Sequence, residues 1–386
     1  MSSSDVRRRW LLALLLAVST GWSCAKSSTG IVPAPAAPTP STSPWKIPVY
    51  PTTTWERFSQ PEWAGYRSGA LDTLTTYLQK IPTTGLMVAV HGRMLYSYGD
   101  ITGQSYLASA RKSVLSMLFG NYVAQGRIRL TSTLAELGID DRPALTPEER
   151  QATVRDLLVT SSGVFHPASN PGDNLSDAPP RGSQKPGSYF LYSNWDFNAL
   201  GTIFETATGR RLYDAVEQDL ARPIQMEDWR RDLQQKSGDT TRSIHLAYHM
   251  WFSTRDMARL GYLMLREGKW FDRQVIPASW VRESTSPIIT SSQMNPPGVR
   301  DNQLAYGYLW WILEEQAGSL LAGAYSARGA YGQYILIAPR LDMVIAHKRV
   351  IPRGDNSSVS WSQFLEIARQ LVGARCPRGE CAITAN

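Results

Sequence analysis

The sequence predicts an α+β fold: an antiparallel sheet flanked by terminal helices, plus a mostly helical second lobe. Three observations carry it. Two apolar runs joined by Gly92-Arg93 read as a hairpin near the start. Further apolar runs separated by turn residues return after residue 300. Between them, from about 109 to 285, helical patterns dominate. Elements from both ends must share one structure, and packing the terminal helices on one face of the sheet solves that. The middle helices then form the second lobe, and a groove between lobe and sheet is a favoured place for a ligand.

The elements follow in chain order. Ser68 can cap a helix whose apolar face is Leu71, Leu74 and Leu78. Leu86 to His91 and Met94 to Tyr98 form the hairpin arms. A helix opens near Ser109, with Val114, Leu115, Leu118 and Tyr122 at helical spacing and Gly126 as its stop. Thr146-Pro147-Glu148-Glu149 reads as a helix start with proline in the first turn. Asp196 to Thr208 is a further helical run. Late strands are expected at Tyr306 to Ile312, Leu320 to Ala327, Gln333 to Ala338 and Met343 to Lys348. A final helix, Val359 to Val372, would bury Trp361, Phe364, Leu365, Ala368 and Leu371.

The ends point to export. Arg7, Arg8 and Arg9 precede an apolar run, Trp10 to Val18, that is too short to anchor in a bilayer, so residues 1–23 read as a signal peptide. Cys24 follows Ser23 and is a candidate for lipid attachment, which would place the protein in the periplasm or cell envelope as a lipoprotein. Simple secretion is the alternative. Gly21 and Trp22 depart from the usual lipoprotein pattern. Residues 24–54 carry seven prolines between Pro33 and Pro51 and read as an extended tether. The body spans 55–375. In the tail, 376–386, Cys376 and Cys381 are expected to pair as a small disulfide loop in an oxidising compartment.

Composition narrows the function classes. The chain is 42% hydrophobic with 13 tryptophans, which suits an aromatic-rich core or groove. Its net charge of +7 becomes +5 without residues 1–23, and the remaining excess is scattered. Nucleic-acid binding needs a clustered basic stripe, so no such partner is expected.

Chemistry enters with Ser109-Ala110-Arg111-Lys112 and Tyr192-Ser193-Asn194. A serine and a lysine one helical turn apart share a face. Serine is a poor nucleophile until a base takes its proton, and lysine is such a base only when burial or a neighbouring cation lowers its pKa. Tyrosine beside it could share the proton. S-x-x-K also occurs at Ser23–Lys26 and Ser43–Lys46, in the leader and the proline-rich stretch, where it has no helical context. Tyr192-Ser193-Asn194 is the only Y-x-N in the chain. No metal and no cofactor is needed by such a trio. His245 and His249 could share a metal only if helical, and no acidic neighbour supports one. His166 is a candidate for the pocket border. Trp195, Trp310 and Trp311 read as core before substrate platform. No G-x-S-x-G elbow exists, so an α/β-type Ser-His-Asp hydrolase is disfavoured.

With these pieces in order, the chain resembles the penicillin-binding-protein and serine β-lactamase superfamily, nearest its class C β-lactamase-related serine hydrolases. The likeness covers about residues 55–373. Beyond the two motifs it rests on Thr153 to Leu158, Ser161-Ser162-Gly163, Tyr306 to Trp311 and Gly332-Gln333-Tyr334. The resemblance implies a β-lactamase/transpeptidase-like fold. It implies Ser109 as acylated nucleophile, Lys112 as base or relay and Tyr192 as its partner. Asn194 would bond Lys112 or the substrate carbonyl. The oxyanion donors would be the N–H groups of Ser109 and Ala330. The third family motif departs here: Ala327-Arg328-Gly329 has alanine where Lys or His is usual, and the alternative register, Ala324-Tyr325-Ser326, also lacks the cation. Arg328, as the neighbouring strand residue, is expected on the opposite face. This favours an esterase or amidase acting on a small-molecule or peptide substrate over a β-lactamase or D,D-peptidase. A non-catalytic envelope protein that binds cell-wall peptides is the reading from another class.

Overall fold

The computed structural model describes residues 44–351 and 354–381, which lie in one compact unit. The expected signal peptide, Cys24 and most of the proline-rich segment fall outside the described residues. Helix α1 is Ser68–Leu78, and its N-cap is Arg67, one residue before the serine expected there. Strands β1 (Gly85–Val90) and β2 (Arg93–Gly99) form the hairpin. His91 and Gly92 make its turn, both with positive φ, as tight hairpin turns require.

Helix α2 (Arg111–Ala124) is buried along almost its whole length, Arg111, Lys112, Ser113 and Ser116 included. The short α3 (Val154–Leu158) starts from a capping box between Thr153 and Asp156. Helix α4 is Asn194–Thr208 and α5 Leu212–Ala215, the latter running into a wider turn, Val216–Ala221. Helices α6 (Thr254–Leu265) and α7 (Ala278–Ser284) complete the middle. Strands β3 (Leu304–Tyr306), β4 (Trp311–Leu313), β5 (Tyr325–Gly329), β6 (Gln333–Ala338) and β7 (Met343–Lys348) follow, then helix α8 (Trp361–Ala374).

The seven strands form one antiparallel sheet in the order β2-β1-β7-β6-β5-β4-β3. Its central strands are apolar on both faces because both are covered. Leu86, Val88, Val90, Leu336 and Ile345 pack against α1 and α8, in a core with Leu71, Leu74, Phe364 and Leu371. Met87, Ala89, Ile335 and Val344 face the other way, into the larger core that continues through the helical lobe. Helix α6 covers that second face. Gly261 permits the close approach, since a Cβ there would lie 2.5 Å from Val344 Cγ1. Although α6 falls inside the stretch expected to build the helical lobe, it serves the sheet.

Three local expectations are corrected. Thr146 and Glu149 do bond each other reciprocally, but only a single turn, Glu149–Gln151, follows before the chain extends at Ala152. The run expected as one strand, Tyr306 to Ile312, is two paired strands with a turn through Leu309, whose φ is 63°. The stretch Leu320 to Ala327 becomes strand only from Tyr325. Helix is also sparser than the sequence suggested. Between α3 and α4 the only helical turn is Leu175–Asp177. The tail is tied down by a Cys376–Cys381 disulfide, with Cα atoms 5.1 Å apart, and by Cys376 N–H donating to Gly65 O at 2.9 Å.

Candidate active site

Ser109 lies in the turn Ala108–Ala110 that leads into α2. Ala108 before it has φ 48°, in the left-handed region that alanine rarely occupies. The turn is pressed against β5: a Cβ on Gly329 would stand 2.4 Å from Leu107 O and 3.0 Å from Ala110 N. Only glycine lets the strand come this near. Ser109 is partly exposed, opening into a groove of about 430 Å³ lined also by Asp173, Tyr192, Trp311, Arg328 and Ala330.

Lys112, one turn along α2, points back to Ser109. Its Nζ lies 3.0 Å from Ser109 Oγ, 2.6 Å from Tyr192 Oη and 2.8 Å from Asn194 Oδ1. The rings of Tyr192 and Phe197 close over it, with centroids 4.2 and 4.1 Å from Nζ. Burial pushes its pKa well below the usual lysine value. The Arg111 charge pushes the same way, and Asp173 opposes. A neutral amine has two N–H donors and one lone pair, which matches three partners. Asn194 Nδ2 donates to Pro171 O at 2.9 Å, so its oxygen is the atom turned to Lys112. The Tyr192 hydroxyl is moved up by burial, while the Ser109 hydroxyl, Arg111 and Arg328 pull it down and Asp173 raises it.

Local sequence explains how Tyr192 and Asn194 get there. Ser193 caps α4 by accepting from Asp196 N–H at 3.3 Å, so Asn194 starts the helix and Tyr192 ends the loop before it. Thr160 holds that loop: its Oγ1 donates to Leu191 O at 2.6 Å and accepts from Ser193 N–H at 3.0 Å, and its carbonyl accepts from Leu191 N–H. Ser162 Oγ donates to Asp196 Oδ1 at 2.7 Å. The Tyr192 ring lies between Phe197 and Trp311, with centroids 4.9 and 5.8 Å away.

Five of the seven sequence-derived site residues line this groove, and the other two, Lys112 and Asn194, lie buried behind it, bonded to one another. Ser109, Lys112, Tyr192 and Asn194 form one bonded cluster, while Gly329 and Ala330 form the strand side. Ala327 is buried in the core, so no cation comes from the third-motif position. Arg328 differs from expectation. It does leave β5 toward the α8 face, with its guanidinium 4.3 Å from the Trp361 ring centroid. It also crosses Trp311 at 5.0 Å and reaches the groove wall. Burial lowers its pKa to about 10, and among the described residues it has no hydrogen-bond or ion-pair partner.

Other candidates fall away from the groove. His166 is buried between Pro167 O and Pro143 O, at 2.9 and 3.2 Å, and does not line it. His245 and His249 are not helical: Ala247–His249 is a short strand. The described residues hold no group of three or more metal-ligand side chains. Trp195 and Trp310 are core, whereas Trp311 is a groove wall. Sequence reasoning missed Arg111, Thr160, Asp173 and Phe197. A cation directly before Lys112 was the available signal for the first. The others depend on tertiary placement.

A helix-covered antiparallel sheet, with serine, lysine and tyrosine converging where a helical lobe meets it, defines the penicillin-binding-protein and serine β-lactamase superfamily, whose members include esterases and other hydrolases. Within it, the chain belongs to the Beta-lactamase family, whose model matches residues 71–347. A protein of Alkalihalophilus pseudofirmus, described as uncharacterized, is 23% identical over 261 residues, 62% of this chain and 72% of that one. Among solved structures, a Bacillus anthracis protein assigned as a 6-aminohexanoate-dimer hydrolase matches with TM-score 0.60 at 19% identity, covering 86% of this chain and 87% of that one. EstCE1, a hydrolase with promiscuous acyltransferase activity, matches with TM-score 0.57 at 17% identity, over 79% and 98%. A Mycobacterium bovis β-lactamase matches with TM-score 0.54, also at 17%, over 79% and 98%.

Proposed function

We propose that the protein is a serine hydrolase that cleaves an ester or amide through an acyl-enzyme. The observation that carries this is the buried Lys112 amine, 3.0 Å from Ser109 Oγ and 2.6 Å from Tyr192 Oη. In this reading Ser109 Oγ attacks the substrate carbonyl carbon and its proton passes to Lys112 Nζ. The tetrahedral oxyanion is held by the N–H groups of Ser109 and Ala330, donors that typically lower such a barrier by about 3–4 kcal/mol each. Collapse breaks the ester or amide bond. The leaving alkoxide or amine takes a proton relayed from Lys112 through Tyr192. Water then attacks the acyl carbon, gives its proton back along the same path, and frees Ser109. Asn194 holds Lys112 in line throughout.

Buried, uncharged Ala327 supports ester or amide hydrolysis over β-lactam hydrolysis. Arg328, which has no ion-pair partner among the described residues, favours a second reading: a cation able to receive a substrate carboxylate suits a β-lactamase or D,D-peptidase. Two assays separate them. A fluorophosphonate or activated ester should add its mass to Ser109, and absence of label under conditions that label a known serine hydrolase leaves only a non-catalytic binding role. Nitrocefin turnover matching a dedicated β-lactamase overturns the ester or amide preference. From the leader sequence we further propose that the enzyme is exported, with lipid on Cys24 as its tether and simple secretion as the alternative. Cys24→Ala should move it from the membrane fraction to the soluble fraction, and an unchanged distribution rejects the lipid anchor.

A further inference from the structure

We propose that Arg111 is a positioning residue of this site, holding the strained backbone that enters Ser109 and standing as a fixed positive charge beside Lys112. The proposal rests on reading Ser109 as the nucleophile. The side chain is 1% exposed. Its Nη1 donates to Ala108 O at 2.9 Å, so it grips the carbonyl of the residue with φ 48°. Its guanidinium lies 5.2 Å from the Tyr248 ring centroid. Its Nε and Nη2 are buried without a hydrogen-bond partner among the described residues. No carboxylate of the described residues forms an ion pair with it.

An uncompensated buried guanidinium is costly, and here it is adjacent to a second buried cation-former. With Ser109 as the nucleophile, the charge has a use in catalysis. The charge, added to the positive end of α2, opposes a proton on Lys112 and so keeps the amine a base.

The other groups around the pair are Asp173, Arg328, Tyr192, Tyr213, Tyr248 and His249. Asp173 alone favours the protonated lysine. Arg328 acts on Tyr192 in the same sense as Arg111. Burial raises the hydroxyls of Tyr213 and Tyr248 and lowers the His249 ring; the Arg111 charge opposes the first two shifts and adds to the third.

The test is the pH dependence of Ser109 acylation by a p-nitrophenyl ester, with intact mass to confirm the adduct. Arg111→Gln keeps a donor for Ala108 O and removes the charge. Its rising limb should move about 1 pH unit higher, with about tenfold slower acylation at pH 7 that recovers in alkali. Arg111→Lys keeps the charge and loses the planar fork, so its limb should stay and only its plateau fall. A merely structural role would lower both plateaus and move neither limb, and that result overturns the proposal. If Arg111→Gln does not fold, Arg111→Lys carries the test: a limb displaced by about 1 unit overturns it. A wild type that takes no label overturns the hydrolase reading as well. A labelled wild type with an unmoved limb in Arg111→Gln overturns this inference alone.

Discussion

The two walls of the groove are built on opposite plans. On the helical wall the polar groups that bond one another around Ser109 are spoken for: Lys112 has three partners, and Asn194 uses its oxygen, its amide and its backbone N–H. On the strand wall Arg328 lies against two tryptophan rings with no hydrogen-bond or ion-pair partner among the described residues, and Ala330 is exposed at the turn after β5. A saturated wall presets a reaction. An unsaturated wall waits for a substrate. On the proposed hydrolase reading, α2 and the Tyr192 loop would fix the chemistry, while β5 and its surroundings would set selectivity.

The sharpest way to break that contrast is to remove members of the helical wall. Ser109→Ala should abolish covalent labelling. Lys112→Ala and Tyr192→Phe should each cut acylation by about 10³-fold or more, and the double variant should be little worse than either. Rate constants from single-turnover labelling decide it. Losses that are small and multiply would mean that the three residues do not act as one unit. Activity should survive EDTA.

Next in size is the loop clamp. Thr160 adopts φ 49° although it is β-branched, and its hydroxyl bonds both Leu191 and Ser193. Thr160→Val leaves two buried backbone groups unpaired, at about 1–3 kcal/mol each. It should slow acylation about 10- to 100-fold, with KM little changed. Thr160→Ser should restore most of the rate. Equal losses in both variants would show that backbone geometry, rather than the hydroxyl, positions Tyr192.

The strand wall answers to a different assay. Arg328→Gln should raise KM about tenfold for a substrate that carries a carboxylate, and leave a neutral ester unaffected; tenfold corresponds to about 1.4 kcal/mol. If both substrates suffer alike, Arg328 supports the wall and does not read the ligand.

The fold was legible in the sequence where patterns are local. The hairpin turn, α2 and α8, and strands β6 and β7 all have periodic apolar residues with punctuation at their ends. The site's helical wall was legible for the same reason: Ser109 and Lys112 are one turn apart on a helix, and Tyr192-Ser193-Asn194 stands directly before another, although its cap at Ser193 was not read. Legibility failed where geometry comes from the third dimension. Nothing in Tyr306 to Trp311 announces a reversal at Leu309, because only Gly307 in that run is a turn residue. Nothing local shows that α6 would cover the sheet. Alternation placed Arg328 on the far face of β5, but a side chain this long crosses Trp311 at the sheet edge and returns to the groove.

The smallest expected effect concerns what holds the strand wall. His347 on β7 lies beneath the turn after β5. Its Nδ1 faces Gly332 O at 2.6 Å, and a carbonyl can only accept, so Nδ1 carries the proton. Nε2 then accepts from the Thr83 hydroxyl at 3.0 Å, which fixes the neutral tautomer. Burial lowers the ring's pKa to about 4, against the hydrogen bond to Gly332, which favours the charged form. The folded state therefore binds fewer protons than the unfolded chain between pH 6.5 and 4. Stability from a neutral His347 is fully present above about 6.5 and is lost as pH falls through that window, by at most about 3 kcal/mol. Asp256, whose carboxyl is raised to about 7 by burial, works in the opposite sense, since its contribution fades as pH rises toward 7. Whole-protein acid melts mix the two. The difference between wild type and His347→Asn isolates one: the Asn amide stands where Nδ1 does and can still donate to Gly332 O, and its urea midpoint should fall less between pH 6.5 and 4.5. Parallel midpoints across that range would show that His347 does not couple protonation to the strand wall.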